Sequence, residues 1–310
     1  MKKVLLATSV LAMTAGFASA EVTVSGTARM GVIADFGDAD PAFTSRVRII
    51  FTASGETDSG LSFGATVRND QSGVGNTENG DSVVYISGAF GKLSMGDVDG
   101  AAAAAVGQVD PVGLTGLSDL NEIAYLLGNE DTSALYEYST GSIGLYFSAQ
   151  PNDGNSNFGV GANYTMGDYK FGIGYENVED GSTPGSGWPD KIGFSPFFGN
   201  GATQVVLGAD ATFGPVTAKV RFARYDEDNI DAGMDQAALS VTYTADALAV
   251  TGFYSNFRGT DGYDGDDADF YGVGASYDLG GGATVVGGYS SADYGAGSDD
   301  AFDLGLSFSF

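Results

Sequence analysis

An all-β fold, a transmembrane barrel of sixteen antiparallel strands with one long loop folded inside it, is what this sequence predicts. Three features carry the prediction. Segments of about ten residues alternate apolar and polar side chains; the breaks between them are short and long by turns; and the chain ends inside its last segment, "FDLGLSFSF", at Phe310. A strand shows successive side chains to opposite faces, so alternation marks a sheet with one apolar and one polar surface. If the apolar surface meets lipid, the sheet has to close, because an open edge leaves backbone groups without partners in hydrocarbon.

The first element is not a strand. "MKKVLLATSVLAMTAGFASA" runs from Lys2 and Lys3 through an apolar stretch to Ala18-Ser19-Ala20, the order of a secretory signal peptide. Residues 1–20 are therefore expected to be cleaved and residues 21–310 to form the exported barrel.

The strands follow. "VTVSGTARMGVI" sets Val22, Val24, Ala28, Met30 and Val32 against Thr23, Ser25, Thr27 and Arg29. "FTSRVRIIFTAS" sets Phe43, Val47, Ile49, Phe51 and Ala53 against Thr44, Arg46, Arg48, Thr52 and Ser54. "LSFGATVR" sets Leu61, Phe63, Ala65 and Val67 against Ser62, Gly64, Thr66 and Arg68. The pattern recurs near 82–90, 92–97, 133–140, 142–150, 157–166, 168–177, 203–213, 215–225, 236–244, 247–257, 269–279, 283–291 and 301–310, sixteen segments in all. Tight breaks such as "MGD", "FGP" and "TADA" alternate with long polar ones, the layout of an outer-membrane barrel. Tyr164, Tyr169, Tyr175, Tyr277 and Tyr289 fall on the apolar face near strand ends, where a membrane interface suits an aromatic ring with one wet end.

One segment breaks the rhythm. Residues 98–131 do not alternate and are too long for a turn. Ala101–Ala105 favours a helix, with Asp99 able to cap it. Asp119 and Glu122 resemble a capping box before "LNEIAYLL", which Gly128 would stop. The apolar residues here need something to pack against, and the inside of a wide barrel offers it.

Composition narrows the function. Cleavage removes two of 13 basic residues, leaving 11 Lys and Arg against 40 Asp and Glu, a net charge of −29. No nucleic-acid partner is expected of such a chain. With no histidine and no cysteine, a His-assisted nucleophile, a His-ligated metal and a disulfide framework are all excluded. Carboxylate-pair hydrolysis stays open as the property of an exported soluble β-protein, as does an acidic Ca²⁺-binding surface layer. Neither enzyme activity nor a required cofactor is expected.

Basic residues are scarce, so their placement is informative. Arg29, Arg46, Arg48 and Arg68 share the polar face of the first three strands and therefore point into the lumen, since an arginine facing lipid costs about 2–4 kcal/mol at mid-bilayer. Lys219 and Arg221 could extend that wall. The inserted loop carries Asp97, Asp99, Asp110, Asp119 and Glu122. A cationic wall facing an acidic loop sets a transverse field that favours dipolar solutes. The net charge predicts mild cation preference. Oxygens suited to Ca²⁺ cluster in "DVDG" (Asp97, Asp99) and "DGYDGDDAD" (Asp264, Asp266, Asp267), where bridging to lipopolysaccharide is one use for them. Trp188 reads as a loop anchor. Gly-x-Gly recurs in the strands without a dinucleotide fingerprint.

"ARMGV" at 28–32, "SRVRIIFTASGETDSGLSFGA" at 45–65, "ISGAFGKLSMGD" at 86–97, "YGVGASYDLGGGATVVGG" at 271–288 and the terminal "DLGLSFSF" resemble the general-diffusion porins of photosynthetic and related alphaproteobacteria, close to the Rhodobacter type. The resemblance implies a homotrimer of sixteen-stranded barrels in the bacterial outer membrane. The third long loop would narrow each pore to an eyelet passed by small hydrophilic solutes and ions, with arginines on the wall and carboxylates on the loop. It also implies that the C-terminal aromatic, Phe310 with Phe308 beside it, is read by the barrel-assembly machinery. A substrate-specific channel is the alternative, although Tyr146 and Tyr225 are too few for an aromatic ladder.

Overall fold

The computed structural model describes residues 20–37, 40–72, 76–128, 132–152, 155–179, 201–227, 233–259, 267–293 and 297–310. The leader before Ala20, Trp188, Asp264 and Asp266 lie outside the described residues.

Sixteen strands form among the described residues. They are β1 (Glu21–Ala34), β2 (Ala42–Glu56), β3 (Ser62–Ser72), β4 (Asn76–Gly88), β5 (Gly91–Gly96), β6 (Ser133–Thr140), β7 (Ile143–Asn152) and β8 (Asn155–Met166). The second half comprises β9 (Tyr169–Val178), β10 (Ala202–Phe213), β11 (Val216–Glu227), β12 (Gly233–Ala245), β13 (Leu248–Gly259), β14 (Ala268–Gly280), β15 (Ala283–Asp293) and β16 (Ser298–Ser309). Each pairs with its sequence neighbours, and β1 pairs antiparallel with β16 to close the barrel. Every expected strand is present. Several run further than alternation indicated: β4 begins at Asn76 with "NTENGD", and β16 begins with "SDD". These ends lie on the long-loop side, where both faces of a strand meet water and parity is not enforced.

Parity governs the rest. Val24, Phe51, Val84, Ile173, Val241 and Leu304 project outward, exposed to what would be lipid. The matching inward positions carry small, polar or charged side chains. Among the described residues no helix is long and apolar enough to cross a membrane, which says nothing about strands. Tyr169 packs edge-on against Phe213 at the short-turn end, with ring centroids 5.9 Å apart. Tyr289 donates to Asp300 at 2.8 Å on the loop side.

The terminus is locked into the ladder. Gly26 N–H donates to Phe310 O at 2.8 Å, and Phe310 N–H donates to Gly26 O at 3.0 Å. Deleting Phe310 removes both bonds, each worth about 0.5–1.5 kcal/mol, together with an outward aromatic. The truncated chain is expected to give less folded barrel and to unfold at a lower temperature, as read by heat-modified gel mobility.

The apolar core lies inside the barrel. Residues 98–128 enter the lumen, and Ile123, Ala124, Leu126 and Leu127 are buried against inward side chains such as Val206, Tyr225, Met234, Phe257 and Phe270. Among the described residues one α-helix, α1 (Ala101–Val106), forms where the alanine run predicted it.

Candidate functional site

The loop lies against the inner wall, and glycine makes room for it. α1 rests on β8 and β9 at Gly161 and Gly174; a Cβ at Gly161 would sit 2.7 Å from Ala105 Cβ, and one at Gly174 would sit 2.5 Å from Ala102 Cα. At Gly208 a Cβ would meet Val106 Cγ1 at 2.6 Å. Further round, Gly113 of the loop presses on Gly274 and Gly288, where an added Cβ would lie 3.0 and 2.5 Å from Gly113 N. The Gly-x-Gly runs of the sequence are thus the track along which backbone packs on backbone.

Both ends of α1 are satisfied by the barrel rather than by its own flanks. Its N-cap is Gly100, with no side-chain capping bond. The expected Asp99 cap does not form because wall acceptors occupy that end: Ala101 N–H donates to Ser148 Oγ at 2.8 Å, and Ala102 N–H to Glu176 Oε1 at 3.2 Å. At the C-terminal end, Arg221, 2% exposed, donates from Nε to Gly107 O at 2.9 Å and from Nη2 to Gln108 O at 3.2 Å. Asp210 pairs with its Nη1 at 2.6 Å. A carboxylate at the N-terminus and a guanidinium at the C-terminus match the helix dipole.

The expected helix over "LNEIAYLL" is absent. Leu117, Ser118 and Asp119 form one tight turn with φ of 49°, 67° and 52°, a left-handed region that non-glycine residues enter at a cost of roughly 1–2 kcal/mol each. The chain then returns in open conformation, and side chains supply the bonds a helix would have made. Gln108 binds Ile123 at both its N–H (2.7 Å) and its O (2.8 Å). Gln236 accepts from Ala124 N–H at 3.0 Å and donates to Glu122 O at 2.7 Å. Gln204 accepts from Leu126 N–H at 3.2 Å and donates to Ala124 O at 2.7 Å. Glu176 Oε2 takes Leu127 N–H at 2.9 Å.

Glu176 therefore ties the loop's two limbs to β9. Replacing it with leucine leaves two buried N–H groups unpaired, at about 1–3 kcal/mol each, whereas glutamine keeps an acceptor. Limited proteolysis within residues 98–131 of the folded barrel is expected to speed up in E176L and much less in E176Q.

The tip is pinned on the far side. Asp303 of β16 accepts from Leu114 N–H at 2.8 Å, Thr115 N–H at 2.7 Å and Thr115 Oγ1 at 2.8 Å. Arg29 Nη1 donates to Leu114 O at 3.2 Å, and its charge is opposed by Asp303 and Asp119. The loop's hydrogen bonds thus reach from β7 to β16 and β1.

The acidic loop residues separate into two groups. Asp99 and Asp119 are exposed and Glu122 is half-buried; Asp99 and Glu122 line a recess of about 420 Å³ with Ala103, Gln108, Tyr125 and Leu127. Burial, then Asp119 and Asp99, push the Glu122 carboxyl up to about 7. Asp110 departs from the expectation of an acid opposite the arginines. Its carboxylate pairs with Lys219 and accepts from Thr242 at 3.1 Å, while its N–H donates to Ser240 at 2.9 Å. It fastens the loop to β11 and β12. Asp97 stands where β5 ends, its N–H donating to Ser82 O at 3.0 Å.

Arg29, Arg46, Arg48 and Arg68 all face inward on β1–β3, Arg29 directly opposite Arg46 in the ladder. Sequence reasoning missed Asp70 among them. Arg48 grips it with Nε at 2.9 and 3.0 Å and Nη2 at 2.8 Å, and Arg68 Nε lies 3.3 Å away. Parity beyond Arg68 would have placed it on this wall. Lys219 and Arg221 face the lumen as expected, but both hold the loop. Among the described residues no group of three or more acidic side chains is arranged to hold a metal ion; Asp267 lies 3.8 Å from Arg258.

Compared with known proteins, residues 7–297 match the family model described as Gram-negative porin. The chain is 38% identical to a porin of Rhodobacter capsulatus, in an alignment covering 94% of this chain and 100% of that protein. A porin structure refined at 1.8 Å superposes with a TM-score of 0.76 at 33% identity, covering 94% of this chain and 100% of the other. A variant of the Rh. blastica porin, 22% identical over 93% of this chain and all of its own, shares the fold with a TM-score of 0.67.

Proposed function

For a chain that belongs to the Gram-negative porin family, we propose how its channel is narrowed and charged. The protein is a general-diffusion porin of the outer membrane, a closed sixteen-stranded barrel. Its aperture lies between the docked loop and the wall of β2 and β3. The observation that carries this reading is the loop's attachment from β7 round to β1, which fills one side of the lumen and leaves Arg46, Arg48 and Arg68 across from it. Asp99, Asp119 and Glu122 supply the opposing charge. Small hydrophilic solutes that can align a dipole in this field pass, and the −29 of the processed chain, from 11 basic and 40 acidic residues, draws cations toward the mouth.

The leader is removed after Ala20, and the working form is a homotrimer, the assembly implied by the sequence resemblance. Phe310 serves the barrel-assembly machinery as well as closure. Lipopolysaccharide and Ca²⁺ meet the acidic long-loop side. The protein acts as a channel and carries out no catalysis.

Currents from the purified processed protein in a planar bilayer under a KCl gradient test this. Openings that arrive in threes with a weakly cation-favouring reversal potential are expected. An anion-favouring potential contradicts the charge reading, and single openings contradict the trimer.

A further inference from the structure

We propose that Asp70 is a specificity-determining residue of the channel: by binding two arginines of the wall it leaves Arg46 as the guanidinium that meets permeating anions. The proposal rests on the reading of this wall as one side of the aperture.

Asp70 stands directly opposite Arg48 in the β2–β3 ladder and two residues from Arg68 on the same face of β3. Asp70 is 7% exposed, and its carboxylate takes three hydrogen bonds from Arg48. A bidentate pair of this kind fixes the guanidinium as well as offsetting its charge. Arg68 Nε lies 3.3 Å from Oδ1 of the same carboxylate, which Arg48 Nε also meets. The register of β3 with β4 shifts between Val67 and Asn69, an irregularity of the sort that re-aims a side chain. Two arginines therefore share one acid.

Arg29 is occupied elsewhere, bonded to Leu114 O with Asp303 and Asp119 near it. Arg46 differs from the other three. It is half-exposed to the lumen, and among the described residues it forms no ion pair. The charges that act on it are the like charges of Arg29 and Arg48 and, after them, the opposite charge of Asp70. A free guanidinium with cationic neighbours is a contact for chloride, a carboxylate or a phosphate group of a passing solute. Without Asp70 the wall would present one further positive charge beside it and oppose cations.

The test is the chloride-to-potassium permeability ratio of single channels in a KCl gradient. D70N is expected to raise the ratio several-fold and R46Q to lower it. The double variant R48Q/D70N, which restores the net charge of the cluster, is expected to return the ratio close to that of the parent. It also serves if D70N alone fails to assemble, since it adds no net charge to the wall; a ratio shifted strongly toward chloride in that variant overturns the proposal. An open D70N channel with an unchanged ratio, while R46Q still shifts it, overturns the role of Asp70 alone. If neither D70N nor R46Q moves the ratio, the wall does not border the permeation path, and the reading of the aperture fails with it.

Discussion

Valine at Gly161 and Gly174 together is expected to lift the loop from the wall and raise single-channel conductance several-fold, with noisier open states. Both glycines lie under α1, where an added Cβ meets Ala105 Cβ at 2.7 Å and the Cα of Ala102 at 2.5 Å. These neighbours are backbone or a methyl fixed to it, so neither can swing aside. Overpacking costs roughly 1–3 kcal/mol at each site. The strands themselves accept valine well, so the strain falls on the docked loop and not on the barrel. Unchanged conductance from a folded G161V/G174V channel would mean that α1 does not depend on this track.

Removing the carboxylates of Asp99, Asp119 and Glu122 together, as amides, is expected to weaken the cation preference strongly, leaving only the pull of the remaining net charge at the mouth. A unit charge about 8 Å from a permeating ion changes its energy by about 0.5 kcal/mol at the dielectric of water, close to two-fold in occupancy. Three such groups acting together outweigh the thermal scatter, and salt reduces the effect. One of them titrates near neutrality. Glu122 is pushed up to about 7, chiefly by burial and then by Asp119 and Asp99. Its negative charge is present above that pH and lost as pH falls through it. The folded chain holds this proton more tightly than a solvated glutamate would, so docking is favoured on the acid side and opposed as Glu122 ionises. Cation preference should therefore weaken from about pH 8 to about pH 6 in the parent and not in E122Q. Reversal potentials across that range measure it.

The strands could be read from sequence because the membrane enforces parity: each inward Arg29, Arg46, Arg48 and Arg68 is matched by outward Val24, Phe51 or Val67. Where lipid contact ends, parity ends too. Asp70 keeps the inward parity of β3, but the apolar partners that make alternation visible end at Val67 while the strand runs on to Ser72. The loop was legible as an inserted segment and α1 as its helix. Its route was not. The glycines that accept it lie on β8, β9, β10, β14 and β15, and a glycine in a strand carries no sign of what packs on it. The apolar run after Asp119 read as helical because its capping signal was local. The groups that hold it open, Glu176, Gln204, Gln236 and Tyr225, whose hydroxyl donates to Ala124 O at 2.6 Å, are far away in sequence and become one surface only when the barrel closes. Asp110 was misplaced by the same rule, since Lys219 and Thr242 become its neighbours through closure.

A disulfide between loop and wall tests the docking on which this account depends. The chain has no cysteine of its own, so an A101C/G159C pair can form only one bridge. A Cβ built at Gly159 lies 3.4 Å from Ala101 Cβ, close to the separation of about 3.8 Å in disulfides; it also lies 2.6 Å from Ser148 Oγ, a single-atom side-chain end that has to turn aside for it. The bridge is expected to form in the folded barrel, and single-channel conductance should be the same before and after reduction, since it fixes the loop where it already sits. A folded channel in which the two thiols stay unbridged, or whose conductance changes when the bridge is reduced, would contradict it.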